Sequence, residues 1–247
     1  MKMNKIMEAA NLIKNSKKTM VLTGAGISTE SGVPDFRSDK TGLWTKMDPA
    51  EVLSAHIMEK YPEKFYSNGF KILTDMADVK PNAGHIAIAD MEKDGFVQGV
   101  ITQNIDNLHH KAGSRKIFEV HGQTRTASCT RCGREYDFSI LQEKVDAGEI
   151  PPICPSCGGV LRTDVVLFGD QMPVAYSHAV RELENTELLI VVGTSLVVAP
   201  VSFLPRMVKK LIIINNEPTP YDRVADVVFN EGSGKVLQNI YEALNEK

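Results

Sequence analysis

Basic residues are not in excess in this 247-residue chain: 28 Lys and Arg face 31 Asp and Glu, a formal net charge of -3. A protein built to hold nucleic acid meets the phosphates with surplus Lys and Arg, so no direct nucleic-acid binding is expected. No apolar run approaches the ~20 residues that span a bilayer, so no membrane association is expected either. Residues Met1 to Lys18 alternate lysines with single apolar residues and lack the apolar block of a secretory leader. Cysteines number only four, and a chain of this length buries roughly 70–75% of its unfolded surface, so no disulfide framework is required. Internal repeats and low-complexity tracts are absent. What is present is ordinary globular composition, 43% hydrophobic and 24% charged. These exclusions point to a soluble, cytoplasmic protein with one large domain, or a main domain and a smaller one.

The few cysteines are informative by their placing. Cys129, Cys132, Cys154 and Cys157 form two C-x-x-C pairs, Cys-Thr-Arg-Cys-Gly and Cys-Pro-Ser-Cys-Gly, with 21 residues between them. A two-residue spacer lets both thiolates of a pair face one metal, and two such knuckles complete a tetrahedral site of the kind Zn2+ favours. A redox C-x-x-C, a disulfide pair and four unrelated thiols are the competing readings, and the matched knuckles favour zinc. With all four positions filled by protein, such an ion holds structure together and performs no chemistry.

Short β-branched runs alternate with amphipathic segments, the pattern of an α/β domain with a parallel sheet. Ile6, Ala9, Ala10 and Ile13 recur at helical spacing. Strands are predicted at 19–23, 97–102, 117–120, 165–168, 188–192, 211–215 and 227–229, and the uninterrupted Leu188-Leu-Ile-Val-Val192 reads as a central strand. Helices are predicted at 174–184, with Pro173 at its start, and at 235–244. Two stretches break the alternation: residues 40–80, helix-like at 50–59 and 62–75, and residues 124–160, which hold the cysteines. Both read as insertions that together form a smaller lobe, with a ligand cleft between lobes.

Gly24-Ala-Gly-Ile-Ser28 follows the first predicted strand, where a glycine turn lets backbone N–H groups approach a pyrophosphate. The third glycine of G-x-G-x-x-G is missing, Thr29 standing in its place, so alone this segment is as readily a structural turn. Gly32-Val-Pro-Asp-Phe-Arg37 gathers a carboxylate, an aromatic ring and a guanidinium in one loop. Thr102-Gln-Asn-Ile-Asp106, Val120-His-Gly122 and Gly193-Thr-Ser195 each sit at the C-terminal end of a predicted strand, where doubly wound folds place ligand groups. Their convergence on one crevice carries more weight than any single motif.

Taken together, these motifs, the four cysteines and Phe168-Gly169-Asp170 closely resemble the sirtuin family, in order and over nearly the whole chain, in a bacterial type without long terminal extensions. The resemblance implies a Rossmann-type NAD-binding domain of residues 1–39, 81–123 and 161–247. It also implies a small domain made of a helical insertion, 40–80, and a four-cysteine zinc module, 124–160. The implied activity is NAD-dependent protein-lysine deacetylation, with acyl transfer to the ADP-ribose and release of nicotinamide. Other acyl groups or ADP-ribosyl transfer form the alternative within the family, and an NAD-sensing regulator without turnover is the alternative outside catalysis. His121 matches the general base, a task that suits an imidazole, and Asn104 would position water or ribose. Ile105 and Asp106 match residues that hold the nicotinamide carboxamide, and Phe36 would cover the ribose. Ala25, Thr29, Arg37, Gln103, Thr194, Ser195, Asn215 and Ser233, with His121, match further cofactor-contacting positions. Nicotinamide is expected as product and inhibitor.

The implied substrate is a protein or peptide bearing acetyl-lysine, clamped as an added strand between Phe168-Gly169-Asp170 and Leu196-Val197-Val198, with Val166, Phe168, Gly169 and Val198 lining the lysine channel. Relatives that remove succinyl groups carry Tyr-x-x-Arg in the insertion. The matching stretch here, Phe65-Tyr-Ser-Asn-Gly69, keeps Tyr66 but has Gly69 in place of the arginine, so neutral acyl groups are expected to be preferred. Most of His56, His85, His109, His110 and His178 are read as surface or capping residues, and a metal reading of the pair His109-His110, on a short helix ended by Gly113, is disfavoured. Trp44 and Tyr61 are read as core, and Asp35 beside Arg37 as structural or catalytic.

Overall fold

The computed structural model describes residues 2–34, 51–74 and 79–246. Its frame is a six-stranded parallel sheet, in the order β3-β2-β1-β7-β8-β9. The strands are β1 (Thr19–Thr23), β2 (Val100–Thr102), β3 (Ile117–Glu119), β7 (Leu188–Val192), β8 (Lys210–Ile214) and β9 (Val227–Phe229). Strands β1 and β7 pair from Thr19↔Leu188 to Thr23↔Val192, every residue of both buried, as a sheet covered on both faces requires.

Alternation along the strands sorts the core into two layers. Val21, Ile190, Val192, Ile212 and Ile214 point to one face. There they meet helices α1 (Lys2–Lys14), α5 (Ala83–Lys93) and α9 (Ser233–Asn245). The stripe Ile6, Ala9, Ala10 and Ile13 is the buried side of α1, as its helical spacing predicts. Met20, Leu22, Leu189, Val191 and Ile213 point to the other face, against α8 (Val174–Glu184) through Ala179 and Leu183. Helix α5 begins with a reciprocal cap: the Asn82 side chain accepts from the Gly84 N–H, and the Asn82 N–H donates to His85 Nδ1.

A second, antiparallel sheet, β5-β4-β6, is formed by β4 (Gly122–Cys129), β5 (Glu135–Asp137) and β6 (Leu161–Val165). Here the structure departs from the sequence reading. The strand expected at 165–168 as part of the parallel alternation lies earlier, at Leu161–Val165, and belongs to this small sheet. Its burial alternates, with Leu161, Thr163 and Val165 inside and Arg162 and Asp164 half-exposed. Against the sheet pack α7 (Phe138–Asp146) and the insertion. The insertion runs as α2 (Ala55–Lys60), α3 (Pro62–Lys64), a π-helical turn (Phe65–Gly69) and α4 (Phe70–Thr74). Leu53, Met58, Phe65, Tyr66, Phe70 and Leu73 interlock with Phe138, Leu141, Leu161 and Val165, the Phe70 and Phe138 rings stacking at 5.8 Å. Tyr61 is exposed rather than core, at 56%, because the chain turns out of the helix there.

Candidate cofactor crevice and metal centre

Because all six strands of the main sheet are parallel, their C-terminal ends open on one edge, and the order reverses between β1 and β7. Ligands of doubly wound sheets bind at such a switch point. Glycine makes the floor of the crevice. The Gly24 N–H donates to Val192 O at 3.0 Å and the Gly26 N–H to Gly193 O at 2.8 Å, so main chain rests on main chain. A Cβ on Gly26 would stand 2.8 Å from Gly193 Cα, and one on Gly193, which has φ +61, would stand 2.2 Å from Ile27 N. The bare G-x-G is thereby explained by close approach, and Thr29, at the absent third glycine, turns its hydroxyl back to Gly26 O at 2.9 Å.

Around that floor the structure gathers residues from distant parts of the sequence. The residues after β2 (Gln103, Asn104, Ile105 and Asp106) follow one strand end, and His121 follows the next. Gln103 Nε2 donates to Thr194 Oγ1 at 3.0 Å, joining the two sides of the switch point. His121 Nδ1 lies 3.1 Å from Gln103 O. A carbonyl only accepts, so Nδ1 carries the proton and the basic lone pair resides on Nε2. Ala25, Thr29, Ser195 and Asn215 lie on neighbouring segments of the same edge, following β1, β7 and β8. Ser233 opens α9 after β9, its buried hydroxyl lacking a hydrogen-bond partner among the described residues. Phe36 and Arg37, with Asp35 and Trp44, lie outside the described residues.

Beneath the crevice is a polar hub that the sequence reading missed as a unit. Ser28 is fully buried, and its hydroxyl donates to Asp106 Oδ2 at 2.6 Å while accepting from Asn104 Nδ2 at 3.2 Å. Asn104 Nδ2 also donates to Gly24 O at 3.1 Å, and Asp106 Oδ1 takes the Leu108 N–H at 2.9 Å. His85, fully buried, completes the hub, its Nε2 3.4 Å from Ser28 Oγ. With Nδ1 already accepting from the Asn82 N–H, the proton sits on Nε2. Burial lowers the His85 pKa to about 4, against the opposing pull of Asp106 and Glu30. Ser28 was visible in the Gly24–Ser28 segment, but His85 is 57 residues away in sequence and only the fold joins them.

His109 is likewise buried rather than on the surface. Helix α6 (Leu108–Ala112) points it inward, where Nε2 meets Thr23 Oγ1 at 2.9 Å. Burial first, then His85 and His110, hold it well below the usual histidine range.

On the substrate side, the Val166 N–H donates to His121 O at 2.9 Å, which sets the predicted peptide-binding segment beside the histidine. Phe168 is 40% exposed and Gly169 has φ +91, while Val198 is half-buried.

The cysteine cluster forms the second site. The four Sγ atoms of Cys129, Cys132, Cys154 and Cys157 all lie within 4.8 Å of one another. Cys129 and Cys157 stand 3.4 Å apart at sulfur, and Cys132 and Cys154 4.0 Å. A tetrahedral Zn2+ with Zn–S of about 2.3 Å requires sulfur separations near 3.8 Å, so the donor set fits the ion. No disulfide joins them.

Residues 24–200, well over half of the chain, match the Sir2 family. The chain belongs to the Sir2 family. A relative described as NAD-dependent protein deacetylase 2, from Caldanaerobacter subterraneus subsp. tengcongensis, is 59% identical over 98% of this chain and 96% of its own length. NAD-dependent protein deacetylase 1 of Geobacillus kaustophilus is 41% identical over 94% of this chain and 95% of its own. Among solved structures, a Sir2 described with p53 peptide and NAD+ superposes with a TM-score of 0.86 at 35% identity, over 95% of this chain and 96% of the other. The structure described as bearing on the mechanism and regulation of Sir2 enzymes gives a TM-score of 0.88 at 40% identity, over 98% of both chains. The Rossmann-type main sheet and the smaller lobe with its cysteine cluster are therefore the Sir2 architecture.

Proposed function

We infer that this protein is an NAD-dependent protein-lysine deacetylase, with NAD as co-substrate and one structural zinc. The observation that carries the reading is the meeting, at one switch point, of a main-chain glycine floor, a histidine with a defined basic nitrogen, and a buried Ser28–Asn104–Asp106 hub. Relatives described as NAD-dependent protein deacetylases, and Sir2 structures described with acetylated peptide, support it.

NAD, when bound, supplies an activated glycosidic bond to nicotinamide and a ribose that accepts the acyl group. His121 takes a proton from a ribose hydroxyl at Nε2, and Gln103 O holds Nδ1–H, which stabilises the imidazolium that forms. Ser28 fixes the Asn104 and Asp106 side chains, Asn104 to position water or the ribose. Asp106, with Ile105 beside it, suits the N–H donors of nicotinamide's carboxamide, and this supports nicotinamide as both product and inhibitor. Gly24, Gly26 and Gly193 pack main chain on main chain under the pyrophosphate, with Ala25, Thr29, Thr194 and Ser195 around it and Asn215 and Ser233 toward the adenosine. Val166, Phe168, Gly169 and Val198 receive the acetyl-lysine peptide.

The small lobe is assigned to residues 40–80 and 124–160, with β6 sharing its sheet. No helix among the described residues is long and apolar enough to cross a membrane. A cytoplasmic location agrees with a site that needs four reduced thiols. The sensor reading is disfavoured because a sensor has no use for a base beside the ribose. Relatives described as deacylases, such as one from Archaeoglobus fulgidus, keep other neutral acyl groups as the second reading.

The test is incubation with NAD and matched acetyl-, butyryl- and succinyl-lysine peptides, following nicotinamide and free lysine. Stoichiometric release of both from the acetyl peptide is expected. Nicotinamide release without lysine deacylation would overturn the assignment.

A further inference from the structure

Strand β6 turns Arg162 away from the small-lobe core, and its guanidinium reaches Asp170 Oδ2, the two side chains being 25% and 16% exposed. The same carboxylate oxygen accepts the Leu167 N–H at 2.7 Å, while the Asp170 N–H donates to Leu167 O at 3.0 Å. Asp170 thus closes a tight turn over 167–170. Inside it, the Phe168 N–H and C=O are paired with Leu53 O and the Ala55 N–H, both at 3.0 Å. Gly169, in the left-handed region, keeps a main-chain N–H and C=O without internal partners among the described residues. An exposed phenyl group beside an unspent peptide unit is what strand addition by an extended ligand uses.

Exposed ion pairs contribute little, but this one is mostly buried, and its carboxylate also holds a backbone donor. The base of Arg162 is fixed as well. Its neighbour Leu161 pairs in register with Cys129, and Leu161 O accepts the Tyr66 hydroxyl at 2.6 Å. Without the guanidinium, a half-buried carboxylate would turn toward water and release the Leu167 N–H, opening the turn.

We propose that Arg162 is a positioning residue for the acyl-lysine peptide, acting through Asp170 to hold the 167–170 turn in peptide-binding shape. It rests on the deacetylase reading and deepens it by assigning peptide affinity, as distinct from NAD affinity, to a side chain of the small sheet.

The experiment compares the full-length wild type with Arg162→Gln, Arg162→Lys, Asp170→Asn and the double variant Arg162→Gln/Asp170→Asn. Binding of a fluorescent acetyl-lysine peptide by anisotropy, KM for NAD, and hydrogen exchange over 166–172 are measured. Arg162→Gln is expected to weaken peptide binding about tenfold while KM for NAD stays within twofold. Arg162→Lys, which keeps the point charge, should recover to within threefold. The double variant should be no weaker than the worse single variant, since both changes break one link. The Leu167 amide should exchange faster in Arg162→Gln. This last reading needs neither turnover nor peptide, so it stands even for a variant of lowered stability compared below its melting transition. Peptide affinity of Arg162→Gln within twofold of wild type, equal losses for peptide and NAD, or an unchanged Leu167 amide would each overturn the proposal. A wild type that neither binds nor deacetylates the peptide overturns the deacetylase reading instead, and the exchange measurement then decides whether Arg162 holds the turn.

Discussion

Gly69 offers a quantitative check on why this chain should prefer neutral acyl groups. It ends the π-helical turn Phe65–Gly69, and a Cβ there would stand 2.5 Å from the carbonyl oxygen of Val52. The obstacle is backbone, so it cannot swing aside as a side chain would. Overpacking of this kind costs about 1–3 kcal/mol. Replacing a helical glycine by alanine returns roughly 0.5–1 kcal/mol. The net for Gly69→Ala is a loss of up to about 2.5 kcal/mol, or a fall in Tm of up to about 10 °C for a domain of this size. The nearby Tyr66 hydroxyl is spent on Leu161 O, and burial pushes its pKa well above the usual value. Neither position of a carboxylate-gripping Tyr-x-x-Arg pair is therefore available. A succinyl carboxylate buried without a partner costs about 3–5 kcal/mol, at least about 100-fold in kcat/KM against acetyl. Gly69→Arg should lose stability without gaining desuccinylation. The measurements are thermal melting of Gly69→Ala and kcat/KM of the wild type and Gly69→Arg on matched acetyl and succinyl peptides. A Gly69→Ala variant that melts higher than wild type would refute the steric argument, and comparable wild-type efficiency on both acyl groups would refute the specificity argument.

His121→Ala should lower kcat for deacetylation by roughly 10²-fold or more with little change in Tm, since the half-buried imidazole sits at the crevice edge; stopped-time product analysis beside a melting curve checks both. Cys129→Ala or Cys154→Ala should abolish the binding of about one zinc per chain and unfold the small lobe, seen by metal analysis and limited proteolysis; a metal-free sample with an intact lobe and full activity would contradict this. Stability should fall as pH drops. His85 is held at about 4 in the fold, against about 6.5 when unfolded, so between those values the unfolded chain binds the extra proton. The contribution of His85 alone is of order 3 kcal/mol between pH 7 and pH 4, and urea titrations across that range should show a smaller loss in His85→Gln than in wild type.

The sequence revealed the fold best where burial is uniform. Leu188–Val192 and Val174–Glu184 lie at the predicted residues, because an unbroken apolar run and a proline-led amphipathic segment leave little choice. The small sheet was obscured by its chemistry. Gly122–Cys129 is rich in Thr, Gln, Arg and Ser, and Leu161–Val165 interleaves Arg162 and Asp164 with its buried residues, so neither reads as an apolar strand. Of the site, the cysteine cluster and the strand-end residues were legible because spacing and strand ends are local properties. The Ser28–His85 contact was not, since it depends on α5 and its Asn82 cap docking under the first strand's turn, where Asn82 Nδ2 donates to Ile27 O at 2.7 Å. His109 misled for a related reason: its neighbour His110 is exposed, and only the pitch of α6 separates the two.

The contact of Gly24 and Gly26 with Gly193 has a consequence for anyone wishing to alter this protein. Where two halves of a sheet meet backbone to backbone, any side chain at those positions becomes a wedge, and it would split β1 from β7 before it could change what the crevice accepts. The floor therefore offers no dial for tuning ligand preference. Variation has to enter from the rim, at Gln103 and Thr194, whose side chains already face one another, and at the neighbouring Ser195, where a changed atom can be accommodated without parting the strands. A mutational library directed at the rim should return folded variants with shifted cofactor affinity, whereas one directed at the floor should return mostly unfolded chains.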